Sequence, residues 1–248
     1  MRARFLIIIA AMLAAAAVRA EVSASVGVYT DYDFRGISQT EGDPAIQASF
    51  DYAGDLFYAS LWGSNVDFGD STDGNMEVDL IFGWATEYEN GLRWDLGAVW
   101  YLYPGSREDL GDPGPDDDIV ESADYWEIAA SGGYGPVDVK YWYSPDLYDS
   151  NETASYLEAN AAFDLPLWEL GLGLHAGYSF GDYYDAISDD YIDYSIALTR
   201  SFGNFDFELK YVATDTDSDF EVDTGAFRND ERVIFSVSTT LPWSSGEE

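Results

Sequence analysis

From residue 22 onward the chain divides into twelve segments in which apolar and polar residues alternate, and the connections between them alternate as regularly, long then short. Successive side chains of a strand point to opposite faces, so such a segment has one apolar and one polar face. Residues 203 to 213 show it cleanly, with Phe205, Phe207, Leu209 and Tyr211 on one face and Asp206, Glu208 and Lys210 on the other. Residues 154 to 164 repeat it, and so does the last segment, with Val233, Phe235 and Val237 against Arg232, Ser236 and Ser238. The other segments are 22 to 34, 45 to 53, 56 to 64, 76 to 88, 91 to 103, 123 to 134, 137 to 143, 168 to 180 and 191 to 202.

The short connections are Gly54-Asp55, Asn90, Gly135-Pro136, Pro166-Leu167 and Gly203-Asn204. The long ones are 35 to 44, 65 to 75, 104 to 122, 144 to 153, 181 to 190 and 214 to 230. All 8 Pro fall in connections or beyond the last strand, as their missing backbone donor requires. Short turns on one side, long loops on the other and an even strand number predict an all-β transmembrane antiparallel barrel with short periplasmic turns, long acidic extracellular loops and both termini in the periplasm. A soluble sandwich also alternates, but it has no reason to segregate connections by length.

The amino terminus agrees with export. Arg2 and Arg4 precede an apolar run from Phe5 to Val18 and small residues ending at Ala20, so residues 1–20 read as a secretory signal cleaved near Ala20. The barrel would occupy 21–243 and a short tail 244–248, in the outer membrane of a Gram-negative bacterium. Beyond the signal no apolar stretch reaches the roughly 20 residues of a membrane helix. With 0 Cys there is neither a lipid anchor nor a disulfide framework, so a large hydrogen-bonded sheet must supply stability.

Lys and Arg number 11 against 47 Asp and Glu, a formal charge of −36 that excludes nucleic acid as a partner. Disorder is countered by 47% hydrophobic and 17% aromatic residues. More than half of the acids lie in the long loops, accompanied there only by Arg35, Arg107 and Arg228. The readings that stand are a solvated face, loops that bind divalent cations and through them the phosphates of lipopolysaccharide and outer-membrane lipid, or loops that draw cations to a mouth.

Asp215, Asp217 and Asp219 alternate like the opening of a calcium loop, yet Phe220 stands where that loop needs Gly and Ala226 where it needs Glu. No metal site is assigned, and Asp116-Asp117-Asp118 and Asp189-Asp190 read as solvated loops. The single His, His175, faces the lumen by parity, four positions from Ser179 and too far to activate it. An outer-membrane lipid hydrolase would need its catalytic groups on the lipid face, so no enzyme, catalytic residue or cofactor is expected.

The lumen-facing positions carry Glu77, Asp79, Asp95, Glu127, Asp138, Glu158, Glu169, Asp193, Asp206 and Glu208, with Arg93, Lys140, Lys210, Arg232 and His175. Ionised groups inside a barrel must meet water or pair with one another. A water-filled, cation-leaning pore and a lumen plugged by ion pairs both satisfy that rule. Trp84, Tyr88, Trp94, Tyr101, Tyr103, Trp142, Tyr143 and Trp168 are girdle candidates, of which Tyr101 and Trp142 fall in the lumen by parity. Arg200 breaks the outward pattern near the periplasmic rim, where it can snorkel.

The stretch Asp31-Tyr32-Asp33-Phe34-Arg35-Gly36-Ile37-Ser38-Gln39-Thr40, then Asp43 to Ala48, then Leu61-Trp62-Gly63-Ser64-Asn65-Val66-Asp67-Phe68, resembles the signature of the TorF-type porins, the Gcw_chp family of Gram-negative outer-membrane proteins. That resemblance implies a single-domain barrel with a transport function and no catalytic residues. It marks Arg35, Gly36, Ser38, Gln39, Trp62, Asn65 and Asp67 as the family-motif loop. Arg35 is expected to fold toward the mouth and pair with Asp33 or an acidic loop residue. Barrels of this class end on an aromatic residue, whereas here Trp243 is followed by Ser244 to Glu248.

Overall fold

The computed structural model describes residues 21–69, 74–106, 123–187, 190–216 and 227–243. Residues 1–20, expected from the sequence to be a signal, residues 244–248, Arg107, Asp116 to Asp118, Asp189, Asp217 and Asp219 lie outside the described residues. Twelve strands close a barrel: β1 (Glu21–Tyr29), β4 (Ala45–Ala53), β5 (Phe57–Asn65), β6 (Met76–Glu87), β7 (Leu92–Leu102), β8 (Tyr125–Tyr134), β9 (Val137–Ser144), β10 (Ala154–Leu165), β11 (Leu170–Phe180), β12 (Tyr191–Phe202), β13 (Phe205–Thr214) and β14 (Arg232–Leu241). Each pairs antiparallel with its neighbours, and β1 pairs with both β4 and β14, which removes every free edge. The remaining pair, β2 (Asp33–Phe34) and β3 (Ile37–Ser38), forms a separate hairpin inside the first long loop.

Alternation sets the two faces. Val28, Ile46, Phe50, Leu96, Ile196 and Leu209 point outward and are exposed on the isolated chain. Glu77, Asp79, Glu127 and Asp193 on the other face are buried. A wall with its apolar side out and its charges in is the inverse of a soluble sandwich and matches a barrel set in lipid. Trp84, Tyr88 and Trp168 are exposed near the periplasmic rim, as a girdle requires. Tyr103, taken from the sequence as a girdle candidate, is instead buried with Tyr101 and Trp142 inside the barrel, because it continues the inward parity of β7.

Most strand boundaries lie within two residues of the sequence expectation, and two of the differences change where side chains point. The first barrel strand ends at Tyr29 rather than residue 34, because Asp31 to Thr40 turns into the lumen, where Asp31 and Asp33 pair with Lys210 and Arg232 of the wall. The turn between β10 and β11 runs from Pro166 to Glu169, with Trp168 and Glu169 at positive φ. Glu169 is therefore exposed in a periplasmic turn and does not line the lumen.

Candidate functional site: the plugged outer lumen

The hairpin β2–β3 turns through Arg35 and Gly36, at φ 51° and 83°. Positive φ at both central residues is the geometry of a two-residue hairpin turn, for which Asn-Gly is the favoured sequence. Gly36 meets the requirement without cost. A Cβ there would stand 2.4 Å from Thr214 Cγ2 and 2.8 Å from Asp193 Cβ, so the tip is packed against the wall. Arg35 is strained, since a side chain crowds the backbone in this region. Ser38 Oγ donates to Asp31 Oδ1 at 2.5 Å and accepts from Gly42 N, while Gln39 N donates to the Tyr32 carbonyl at 2.7 Å, closing the loop on itself.

Ionic contacts fasten the hairpin across the barrel. On one side Arg232 donates to Asp31 at 2.5 Å, to Asp33 at 2.7 Å and to the Gly36 carbonyl at 3.0 Å, while Lys210 Nζ lies 2.9 Å from Asp33. On the other, Arg35 Nη2 donates to Glu127 Oε2 at 2.6 Å. The guanidinium carbon also lies 4.4 Å from the Tyr156 ring, 4.7 Å from Phe34 and 5.8 Å from Trp142. Burial disfavours the Arg35 charge, and the Glu127 carboxylate more than compensates, holding its pKa above the ordinary value. Arg35 thus folds inward as expected, but its partner is Glu127; Asp33 is already taken by Lys210 and Arg232.

The other predicted lumen residues divide by height. Near the plug, Glu77 accepts from Tyr32 Oη at 3.3 Å, and Glu77 Oε2, Asp79 Oδ1 and Glu127 Oε1 are buried with no hydrogen-bond partner among the described residues. One level lower, His175 Nε2 lies 2.8 Å from Asp193 and 2.9 Å from Tyr156 Oη, and Nδ1 lies 2.7 Å from Asn160 Oδ1. Glu158 accepts from Trp142 Nε1 at 2.8 Å and from Asn160, whose amide also reaches Asp138 at 3.4 Å. Lys140 sits 3.9 Å from Asp95 and 4.1 Å over the Trp142 ring. At the periplasmic end Arg93 donates to the Gly135 carbonyl, and Asp206 accepts from Ser201. Glu208 is half-buried on the inner face of β13.

Of the motif residues in β5 and beyond, Trp62 lies in the lumen 5.5 Å from the Tyr32 ring. Asn65 accepts from Ile46 N at 2.7 Å and donates to the Pro44 carbonyl, tying β5 to the start of β4. Asp67 bridges the second loop to the plug through its N–H to the Gln39 carbonyl. Asp215 accepts from Ile192 N at 2.6 Å, and no cluster of three or more metal-binding side chains exists among the described residues.

Above the plug an arc of rings runs from loop to loop. Phe227 stacks on Phe68 at 5.1 Å, Phe68 meets Tyr103 at 5.7 Å, Tyr103 meets Tyr148 at 6.5 Å, Tyr148 meets Tyr183 at 5.9 Å, and Tyr183, Tyr184 and Tyr191 follow edge to face. Such pairs contribute about 0.5 to 1.5 kcal/mol each beyond area burial. Burial pushes the Tyr148 hydroxyl well above its usual pKa and the Tyr183 hydroxyl to about 12, so both remain neutral donors.

Sequence reasoning missed Asp31 and Asp33 as anchors, Tyr156 as a ring against the Arg35 guanidinium, and Asp51, which accepts from Ser49 and Ser60 on the inner wall. The parity of 45 to 53 already places Asp51 with Gln47 and Ser49. For the plug the signal was Tyr32, Phe34 and Ile37 inside a segment otherwise as polar as the other loops.

Comparison with known proteins agrees with this architecture. Residues 13–241 match the family described as "Bacterial protein of unknown function (Gcw_chp)", and the chain belongs to that family. The family's description carries neither a TorF label nor a function. Among solved structures, one reported under "Unveiling the Mechanism Behind the in-meso Crystallization of Membrane Proteins" aligns with TM-score 0.54 at 9% identity, covering 91% of this chain and 85% of the other. The NanC porin aligns with TM-score 0.52 at 8% identity, covering 89% and 98%. These likenesses establish a porin-like barrel fold. No curated protein sequence is a detectable relative.

Proposed function

We propose that this member of the Gcw_chp family is an outer-membrane channel for passive diffusion of small solutes, cation-leaning and without catalytic activity, delivered after signal cleavage near Ala20. One observation carries the reading. In the outer lumen Arg35, Lys210 and Arg232 are each neutralised by a carboxylate, whereas Glu77 and Asp79 have no Lys or Arg within ion-pair distance among the described residues. Over the whole described lumen the carboxyl groups outnumber the Lys and Arg side chains, and that excess of acids favours cations entering past the plug. The pore-lining set under this reading is Glu77, Asp79, Arg93, Asp95, Glu127, Asp138, Lys140, Glu158, His175, Asp193, Asp206, Glu208, Lys210 and Arg232.

Planar-bilayer recording in a salt gradient tests it: conductance steps with a reversal potential of cation-selective sign are expected, and anion selectivity would overturn it. The inward-folded hairpin favours a second reading, an occluded structural or adhesive barrel whose acidic loops bind lipopolysaccharide through divalent cations. Absence of steps even after the hairpin is released would decide for that reading.

A further inference from the structure

Arg35 occupies a surrounding that is unusually complete for a side chain of the same protein. Its guanidinium has the Glu127 carboxylate, 0% exposed, at one end and the faces of Tyr156, Phe34 and Trp142 around it. Aromatic faces around a desolvated cation, closed by a carboxylate, are the chemistry that recognises organic cations. Resting on the channel reading above, we infer that this box is a recognition site for the guanidinium or primary ammonium head of a small monocationic solute, and that Arg35 fills it as an internal stand-in.

Two independent observations point to exchange rather than to a permanent strut. Of the two Glu127 oxygens Arg35 engages only Oε2, which also accepts from Tyr101 Oη at 3.0 Å, while Oε1 is buried without a partner among the described residues, so half of the carboxylate is unused. And Arg35 holds its place at φ 51°, in a left-handed backbone region that strains any residue with a side chain. A free guanidinium could use both oxygens and carries no such strain. Lys140, two residues nearer the periplasmic end of β9 and 4.1 Å over the same Trp142 ring, limits the box to one added charge.

The test is binding to detergent-purified Arg35→Ala protein by isothermal titration, with methylguanidinium as the probe and N-methylurea as its uncharged counterpart. Saturable methylguanidinium binding in the millimolar range is expected, about ten-fold or more tighter than methylurea, and lost when Glu127→Gln is added. Equal binding of the two probes, no saturable binding, or indifference to Glu127→Gln overturns the inference. If Arg35→Ala refolds poorly, its yield of heat-resistant barrel is read with each probe present. A several-fold rise with methylguanidinium alone supports the site, and no difference overturns it. Because binding is read in micelles, a failure of conductance and a failure of this site are separate results.

Discussion

The outer and inner halves of this barrel share strands, alternation and hydrogen-bonded wall, yet their interiors are built on opposite plans. The outer half resembles the core of a soluble domain, with stacked tyrosines, a hairpin and ion pairs with hardly any exposed atoms. In the inner half, lumenal positions are small, such as Gly83, Gly97, Ser131, Gly133, Gly173 and Ala197, with scattered charges. There the larger side chains lie flat over glycine: the Tyr58 hydroxyl would meet a Cβ on Gly83 at 2.5 Å and on Gly97 at 2.7 Å. Strand number sets the width of the tube, and what fills it is decided separately at each level by one loop and a few side chains.

The largest effect is expected from Arg232→Ala, which leaves Asp31 and Asp33 short of their shared cation. A loss of about 3 to 5 kcal/mol should follow in urea unfolding from lipid vesicles, together with larger conductance steps. Unchanged values of both would show that the outer half is not held by charge. Gly36→Val adds a Cβ into Thr214 and Asp193 at φ +83° and should cost about 1 to 3 kcal/mol. Its signature is faster hydrogen exchange over residues 31 to 40 with the strands unaltered, and equal acceleration in the inner strands would erase the distinction between the halves. In the inner half Gly83→Ala should force Tyr58 aside and crowd the Leu96 carbonyl, 2.7 Å from the new Cβ, for about 1 to 3 kcal/mol, visible in the urea midpoint and without effect on ion selectivity.

The smallest effect belongs to the exposed pair Arg228–Asp230, 2.8 Å apart at the rim. Hydrogen bonding from Arg228 holds the Asp230 carboxyl below its usual pKa. Its contribution is therefore present above the ordinary Asp value of about 3.9 and is lost as pH falls through the lowered one. Asp230→Asn should shift stability at neutral pH by less than about 1 kcal/mol, with no change in conductance.

The wall was legible because lipid imposes strict period-two alternation, so residues such as Phe207, Leu209, Glu208 and Lys210 declare their faces one by one. The same parity found most of the lumenal acids and failed at Glu169, which a four-residue turn removed from the strand. The plug was not legible. Asp31 and Asp33 look like two more acids in an acid-rich loop, and their value lies in Lys210 and Arg232, which no local pattern connects to them. Arg35 was expected to turn inward from its surroundings, but choosing Glu127 required knowing which strand stands opposite.

The anchors of the hairpin are distant in sequence: Asp33 and Lys210 are separated by 177 positions, Asp33 and Arg232 by 199, and Asp31 and Arg232 by 201. Contacts of such high separation form late, after the intervening chain has been ordered. During biogenesis the first loop must therefore wait, unanchored on that side, until β13 and β14 arrive, and β14 is also the strand that zips to β1. Completion of the cylinder and seating of its stopper become a single event, so a chain truncated before its last two strands would leave the cell neither a finished wall nor a closed one.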